Sequence, residues 1–149
     1  MSALPADLTP SQDERILGAL AHIGVLIPAV GVVIPILVWI TQKERTRFAA
    51  FQALQAIAYQ LLLIIAALLG MGCYFLSFLV AFGFIQSAGS STSWVSMLPF
   101  FIPFCVLGGL GLVWIASILY ALIGALLTFQ GKDFRYLLLG AWVHRFLQQ

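Results

Sequence analysis

The sequence predicts an all-α, polytopic integral membrane protein, and three observations lead to this fold class. Only 8% of the 149 residues are charged, against about 25% in an ordinary soluble domain. The mean hydropathy is +1.08. Two stretches, residues 16–42 and 48–131, contain no charged residue. A soluble domain with so few charges would expose apolar patches that drive association. The composition therefore excludes a soluble enzyme and a protein that binds nucleic acid through a basic face.

The uncharged stretches are continuous and rich in Leu, Ile, Ala, Phe and Gly, which favours membrane helices of roughly 20 residues over the alternating strands of a barrel. The simplest layout has three transmembrane helices, of which the first is kinked or re-entrant. The predicted segments are a polar N-terminal tail and helix cap (1–15), transmembrane helix 1 (16–40), a basic cytoplasmic loop (41–48), transmembrane helix 2 with an outer extension (49–85), a polar outer turn (86–94), an outer extension and transmembrane helix 3 (95–129), and a C-terminal tail with an interfacial amphipathic helix (130–149).

The first apolar segment allows two structures. Ser11 and Glu14 have the spacing of a capping box, so a helix should begin in the polar tail. The apolar stretch after it contains three residues that kink helices, Pro28, Gly31 and Pro35. Residues 16–40 therefore either cross the membrane as one kinked helix or form two half-helices of a re-entrant element.

The basic residues predict the orientation. The loop 41–48 and the tail from Gln130 each contain three Lys or Arg residues, whereas the N-terminal tail contains only Arg15. The positive-inside rule places the loop and the C-terminus in the cytoplasm. The simplest layout, with a full first span, puts the N-terminus outside, and a re-entrant element would put it inside. The membrane we expect is the bacterial inner (cytoplasmic) membrane. The predicted interface anchors are Trp39, Lys43, Arg45, Arg47, Trp94, Trp142 and Arg145.

The second apolar stretch is too long for two simple spans. A helix over residues 48–85 would be about 57 Å long, against about 30 Å of hydrocarbon. Residues 70–108, a long apolar outer hairpin between two glycine clusters, form the surplus. We expect this hairpin to contact other membrane-protein subunits. It contains Cys73 and Cys105, for which we expect small buried hydrophobic side chains, with a disulfide as the open alternative.

Two helix faces carry side chains that are unusual in lipid. Gln52, Gln55 and Tyr59 form one stripe on helix 2, with Gln60 beside it. Such side chains should face the bundle, where they either hydrogen-bond between helices or line a polar passage. On helix 3, a small-residue face permits close helix packing and is a second candidate contact with other subunits; its members are Ser117, Ala121, Gly124 and Ala125.

Candidate cofactor ligands are few. His22 is a candidate ligand for a haem or a chlorophyll-type magnesium, and Trp114 a candidate contact for lipid or pigment, although hydrogen bonding and packing explain both residues as well. No acidic residue lies in the apolar stretches, and we find no hydrolase, zinc or nucleotide motif. We therefore predict a non-enzymatic protein with no catalytic residue, no metal and no cofactor besides bound lipid.

Three further stretches carry a family resemblance. They are Asp13–His22, Arg47–Ala56 (Arg-Phe-Ala-Ala-Phe-Gln-Ala-Leu-Gln-Ala), and Tyr120–Arg135 with its Gly131-Lys132 turn. Together they resemble a family of small bacterial three-span membrane proteins of unknown function. That family is similar to the Tic-type twenty-kilodalton subunit of the chloroplast inner-envelope import translocon. The resemblance implies a helical membrane protein without known enzymatic chemistry, and its plastid relatives imply protein import.

Two functions follow as hypotheses. The first is an accessory or structural subunit that packs against a larger membrane complex, supported by the apolar hairpin at residues 70–108. The alternative is a Tic-like channel or a component of protein translocation, supported by the glutamine stripe. Both hypotheses imply membrane lipids and membrane proteins as partners, and neither implies nucleic acid.

Overall fold

The computed structural model describes residues 9–28, 30–87 and 99–137. In chain order these form α1 (Gln12–Ile23), a 3-10 turn (Gly24–Leu26), α2 (Val33–Gln42), α3 (Arg47–Ser87) and α4 (Phe101–Phe129). The described residues contain no strand, so the predicted all-α class is confirmed. The predicted anchors Trp94, Trp142 and Arg145 lie outside the described residues, as do most of the outer turn and the end of the C-terminal tail.

Two of these helices are long and apolar enough to cross a membrane. They are α3, with 41 residues, and α4, with 29 residues. At about 1.5 Å per residue, α3 is about 62 Å long, and it runs through Gly70 and Gly72 without a break. The predicted count of three spans is not confirmed, because residues 16–40 do not form one continuous helix.

The helix α1 begins at the predicted capping box. The Ser11 hydroxyl accepts a hydrogen bond from the Glu14 N–H at 3.3 Å, and the Glu14 carboxylate accepts one from the Ser11 N–H at 2.6 Å. The two bonds satisfy donors that the first helical turn leaves without partners. The acidic side chains Asp13 and Glu14 also lie at the N-terminal, positive end of the helix dipole.

The chain reverses between α1 and α2. After the 3-10 turn, Ile27 is extended, and its carbonyl accepts a hydrogen bond from the Gly31 N–H at 2.8 Å. Gly24 and Gly31 face each other so closely that a Cβ built on Gly24 would lie 2.5 Å from the Gly31 carbonyl oxygen. A side chain on either glycine would therefore push the two backbones apart.

The helices α1 and α2 form an antiparallel hairpin. Residues at the start of α1 and residues after the end of α2 line one common cavity of about 490 Å³, among them Ser11, Glu14, Arg45 and Thr46. Both ends of the hairpin therefore lie on the same side. Of the two structures predicted for residues 16–40, the structure shows the pair of half-helices.

The chain forms two compact units. Among the described residues, the first contains 9–62 and 118–137, and the second contains Leu63–Ser117. The core of the first unit uses small side chains where its helices meet, with Leu17 and Trp39 packed against them; the buried members are Ala21, Val38, Ala53 and Ala56. Alanine lets helix backbones approach closely, which brings the polar side chains of the first unit together.

The second unit packs the later part of α3 against the earlier part of α4. A Cβ built on Gly70 would overlap Leu110, and the rings of Phe78 and Phe100 meet edge-on at 5.9 Å. The outer surface is apolar, with large side chains such as Leu79 and Leu112 each 70% exposed. Cys73 and Cys105 are exposed and unpaired, so the prediction that they are buried inside the chain is wrong. An apolar segment can be covered by lipid as well as by protein, and sequence does not distinguish the two.

We expect Gly31→Ala to destabilise the hairpin, because the added methyl group would overlap the Gly24 carbonyl. Overpacking of this kind costs about 1–3 kcal/mol. The thermal unfolding midpoint of the purified protein in detergent should fall. Gly72→Ala is the matched control, since its methyl group meets nothing within 4 Å. Equal midpoints for the two variants would contradict the close approach of Gly24 and Gly31.

Candidate functional site

The first unit contains a buried polar cluster, which is the candidate functional site. It joins His22 on α1, Gln52 and Gln55 on α3, and Thr128 on α4, each with at most 1% of its surface exposed. These side chains surround segment 132–136, which follows α4, is neither helix nor strand, and is called the strap below. Buried polar groups are stable only when they are hydrogen-bonded, so their partners decide what the cluster does.

A chain of hydrogen bonds crosses the cluster. The Tyr136 hydroxyl and His22 Nδ1 are 3.0 Å apart, and His22 Nε2 and Gln52 Oε1 are 3.1 Å apart. An amide oxygen only accepts, so Nε2 carries the imidazole proton and donates it, while Nδ1 accepts from Tyr136. Gln52 Nε2 in turn donates to Asp133 Oδ1 at 3.2 Å, and the Thr128 hydroxyl donates to Gln52 Oε1 at 3.4 Å. Every donor in this chain thus meets an acceptor.

The phenol of Tyr136 keeps its proton in this environment. Burial raises the pKa of Tyr136 well above its ordinary value, and the nearby Tyr59 and Tyr120 raise it further. A neutral phenol can donate to His22, whereas a phenolate could not.

Gln55 holds the backbone of the strap. Its Nε2 donates to the Phe134 carbonyl at 2.9 Å, and its Oε1 accepts from the Tyr136 N–H at 3.1 Å. One side chain therefore supplies a donor and an acceptor to the backbone of the strap, much as a neighbouring β-strand would. Backbone groups that leave a helix and remain buried need such partners.

Aromatic rings cover the same place. Tyr136 stacks on Tyr59 with ring centroids 4.2 Å apart, and Phe134 meets His22 edge-on at 5.7 Å. A Cβ built on Gly124 would lie 2.7 Å from the Phe134 ring, so this glycine makes room for the strap. The turn that directs the strap back onto the helices uses Gly131, whose φ of +78° favours glycine.

The structure brings most of the predicted stripe together. Gln52, Gln55 and Tyr59 are buried and face the strap. Gln60 is also buried, and its Nε2 has no hydrogen-bond partner among the described residues. Gln52 and Gln55 are therefore engaged in hydrogen bonds within the chain.

The small-residue face of α4 divides between the two units. Ala121, Gly124 and Ala125 are buried in the first unit, where Gly124 contacts Phe134. Ser117 belongs to the second unit and donates a hydrogen bond to the Val113 carbonyl at 2.7 Å. Three of the four predicted residues thus pack inside this chain, which leaves only part of the face for another subunit.

The described anchors lie near the open end of the hairpin. Lys43 lies 5.5 Å above the Trp39 ring and 3.9 Å from the Glu44 carboxylate. Arg45 lines the cavity between α1 and α2, and Arg47 begins α3.

The two candidate cofactor contacts have different surroundings. Both nitrogens of His22 are engaged, so a metal would have to displace Tyr136 or Gln52. No group of three or more potential metal-binding side chains occurs in the described part of the chain. Trp114 lines an apolar groove of about 420 Å³ in the second unit, together with Met71 and Leu110.

Sequence analysis did not predict the strap. The predicted interfacial helix includes Asp133, Phe134 and Tyr136, whereas residues 132–136 are not helical. The available signal was the alternation of Phe134 and Tyr136 after the Gly131-Lys132 turn, which is typical of an extended segment with one buried face.

We expect Gln55→Leu to destabilise the protein, because it leaves the Phe134 carbonyl and the Tyr136 N–H buried without partners. Each unsatisfied group costs about 1–3 kcal/mol. The unfolding free energy, measured by denaturant titration in detergent, should fall accordingly. The control is Gln130→Leu, an exposed position, where a change within about 0.5 kcal/mol is expected. Unchanged stability of Gln55→Leu would refute the role of Gln55 in holding the strap.

Comparison with known proteins identifies the family. The sequence model of the MamF/MmsF family, described as the magnetosome magnetite crystal formation protein family, matches residues 13–143. No curated protein and no solved structure matches the chain. The predicted membership of a small bacterial membrane protein family is confirmed, whereas a similarity to the Tic-type subunit is not shown. The matched region includes the hairpin, α3, α4 and the strap, and the chain belongs to the MamF/MmsF magnetosome magnetite crystal formation protein family.

Proposed function

We propose that this chain is a multi-pass membrane protein of the magnetosome that acts in magnetite crystal formation as a structural component, without enzymatic activity. The family match over residues 13–143 is the observation that carries this proposal. The two apolar helices α3 and α4 support a membrane location.

The polar cluster supports a structural role. Its side chains form hydrogen bonds with one another and with the strap, and both polar atoms of the Gln55 side chain bind backbone groups of the strap. Such a cluster fixes the strap against the helices of the first unit. A channel or translocation role rested on the glutamine stripe, and the hydrogen bonds of Gln52 and Gln55 account for that stripe without a passage.

The second unit supports contacts with lipid and with other membrane proteins. Large apolar side chains are exposed along both of its helices, with Leu79 and Leu112 each 70% exposed. We propose that residues 70–108 contact other subunits and that the groove beside Trp114 accommodates lipid. In this proposal the loop 41–48 and the C-terminal tail face the cytoplasm, as their basic residues predict.

We expect deletion of the gene in a magnetite-forming bacterium to change the size or shape distribution of the crystals, measured by electron microscopy. Complementation with the wild-type chain or with Gln130→Leu should restore the distribution. Gln55→Leu should restore it less, because the role requires the folded cluster. The amount of each variant in the magnetosome membrane fraction is the necessary control. Normal crystals after deletion would overturn the proposed function.

We expect a stable association with other membrane proteins through residues 70–108. After gentle solubilisation of magnetosome membranes, native mass spectrometry should find the chain in a complex with other subunits. Leu79→Asn and Leu107→Asn, which replace exposed side chains within residues 70–108, should reduce that association, while Leu126→Asn, an exposed position on α4 outside that segment, serves as the control. Recovery of only monomer, or only copies of this chain, would contradict the proposed association.

A further inference from the structure

We propose that the α1–α2 hairpin inserts into a single leaflet of the membrane, the one next to the basic loop 41–48, and that acyl chains of that leaflet cover its outer face. The proposal rests on the membrane location in the proposed function, and it is independent of the role in crystal formation.

The hairpin has an outer face made of large apolar side chains. On each helix these residues recur every three or four positions, which places them on one side of the helix. Each is between 38% and 65% exposed; on α1 and the turn they are Ile16, Leu20, Ile23 and Ile27, and on α2 and before it they are Val30, Val33, Leu37 and Ile40. The opposite side of each helix carries the buried residues, among them His22 and Val38.

The charges of the hairpin lie at its open end alone. Three charged residues, Asp13 to Arg15, lie at the start of α1, and three more, Lys43 to Arg45, follow α2, whereas residues 16–42 carry none. The closed end exposes Leu26 and Ile27 at 48% and 52%. This distribution matches the gradient from headgroups to hydrocarbon across one leaflet, because charged groups favour the interface and apolar groups the interior.

The hairpin is too short to cross the bilayer. α1 has 12 residues, the 3-10 turn 3 and α2 10. At about 1.5 Å per α-helical residue and about 2.0 Å per 3-10 residue, the first arm is about 24 Å long and α2 about 15 Å. The hydrocarbon core is about 30 Å thick. With its charged end at the interface, the closed end of the hairpin therefore stops inside the membrane.

Contacts with α3 fix the depth of the hairpin. His22 binds Gln52, five residues after the start of α3, and Ala21 packs in one core with Ala53 and Ala56. The hairpin consequently lies beside the first turns of α3, next to the loop that joins them. These turns belong to the same leaflet as the basic residues of the loop.

The test uses cysteine variants of the full chain in which Cys73 and Cys105, both exposed and unpaired, are replaced by Ala. Gln12→Cys and Glu44→Cys report on the two arms of the open end, Val30→Cys on the closed end, and Leu69→Cys, 67% exposed on α3, is the lipid-facing control. A membrane-impermeant maleimide is applied to right-side-out and to inverted bacterial membrane vesicles. A bimane label on Val30→Cys or Leu69→Cys is then quenched by doxyl lipids in vesicles of phosphatidylethanolamine and phosphatidylglycerol.

We expect Gln12→Cys and Glu44→Cys to react with the impermeant maleimide from the same side of the membrane. Val30→Cys should not react with this reagent from either side. The bimane on Val30→Cys should be quenched by doxyl lipid as strongly as the bimane on Leu69→Cys. Reaction of Gln12→Cys and Glu44→Cys from opposite sides would overturn the proposal in favour of a full span. Labelling of Val30→Cys by the impermeant reagent would place the closed end of the hairpin in water and would overturn the proposal. If Val30→Cys does not react with the maleimide and its bimane is not quenched by doxyl lipid, protein and not lipid covers the outer face, which would also overturn the proposal. None of these readouts involves magnetite, so their failure and that of the crystal-formation role are distinguishable.

Discussion

The need to satisfy polar groups inside an apolar bundle organises the first unit. His22, Gln52, Gln55 and Thr128 lie where water does not reach, and each finds its partner on a different part of the chain. The resulting hydrogen bonds connect α1, α3, α4 and the strap. Small residues on the same helices, such as Ala53 and Gly124, make the close approach possible. These directional hydrogen bonds thus select one arrangement of the helices in a core that apolar packing alone would leave poorly defined.

The two units differ in the kind of side chain that they bury and expose. The first buries polar and aromatic groups and hydrogen-bonds His22, Gln52, Gln55 and Thr128 internally, whereas the second exposes large apolar side chains on both of its helices. A surface such as that of the second unit requires lipid or another protein to cover it. The family to which the chain belongs is described by magnetite crystal formation in magnetosomes, and the hydrogen-bonded polar cluster and the exposed apolar surface are the two features on which the proposed structural role depends.

Much of this fold could be predicted from local sequence signals. The Ser11–Glu14 cap, the long apolar helices and the stripe of Gln52 and Gln55 each follow from spacing and composition. The choice between a kinked span and a hairpin could not, because it depends on the approach of Gly24 to Gly31 and hydropathy is the same in both structures. The strap was missed for a related reason. Gln55 binds backbone atoms of residues 79 and 81 positions away in the chain. Because every residue has such backbone atoms, the sequence does not indicate which ones Gln55 will bind.

The strap also sets an order of events during synthesis. His22 and Tyr136 are 114 residues apart in the chain, so at about 5–20 residues per second the histidine leaves the ribosome roughly 6 to 23 s before its partner. In that interval Gln52 and Gln55 also lack Asp133 and the strap backbone. Until the strap is made, the polar side chains of the α1–α2 hairpin and of the first turns of α3 need other hydrogen-bond partners. The first unit is completed only when the end of the chain arrives.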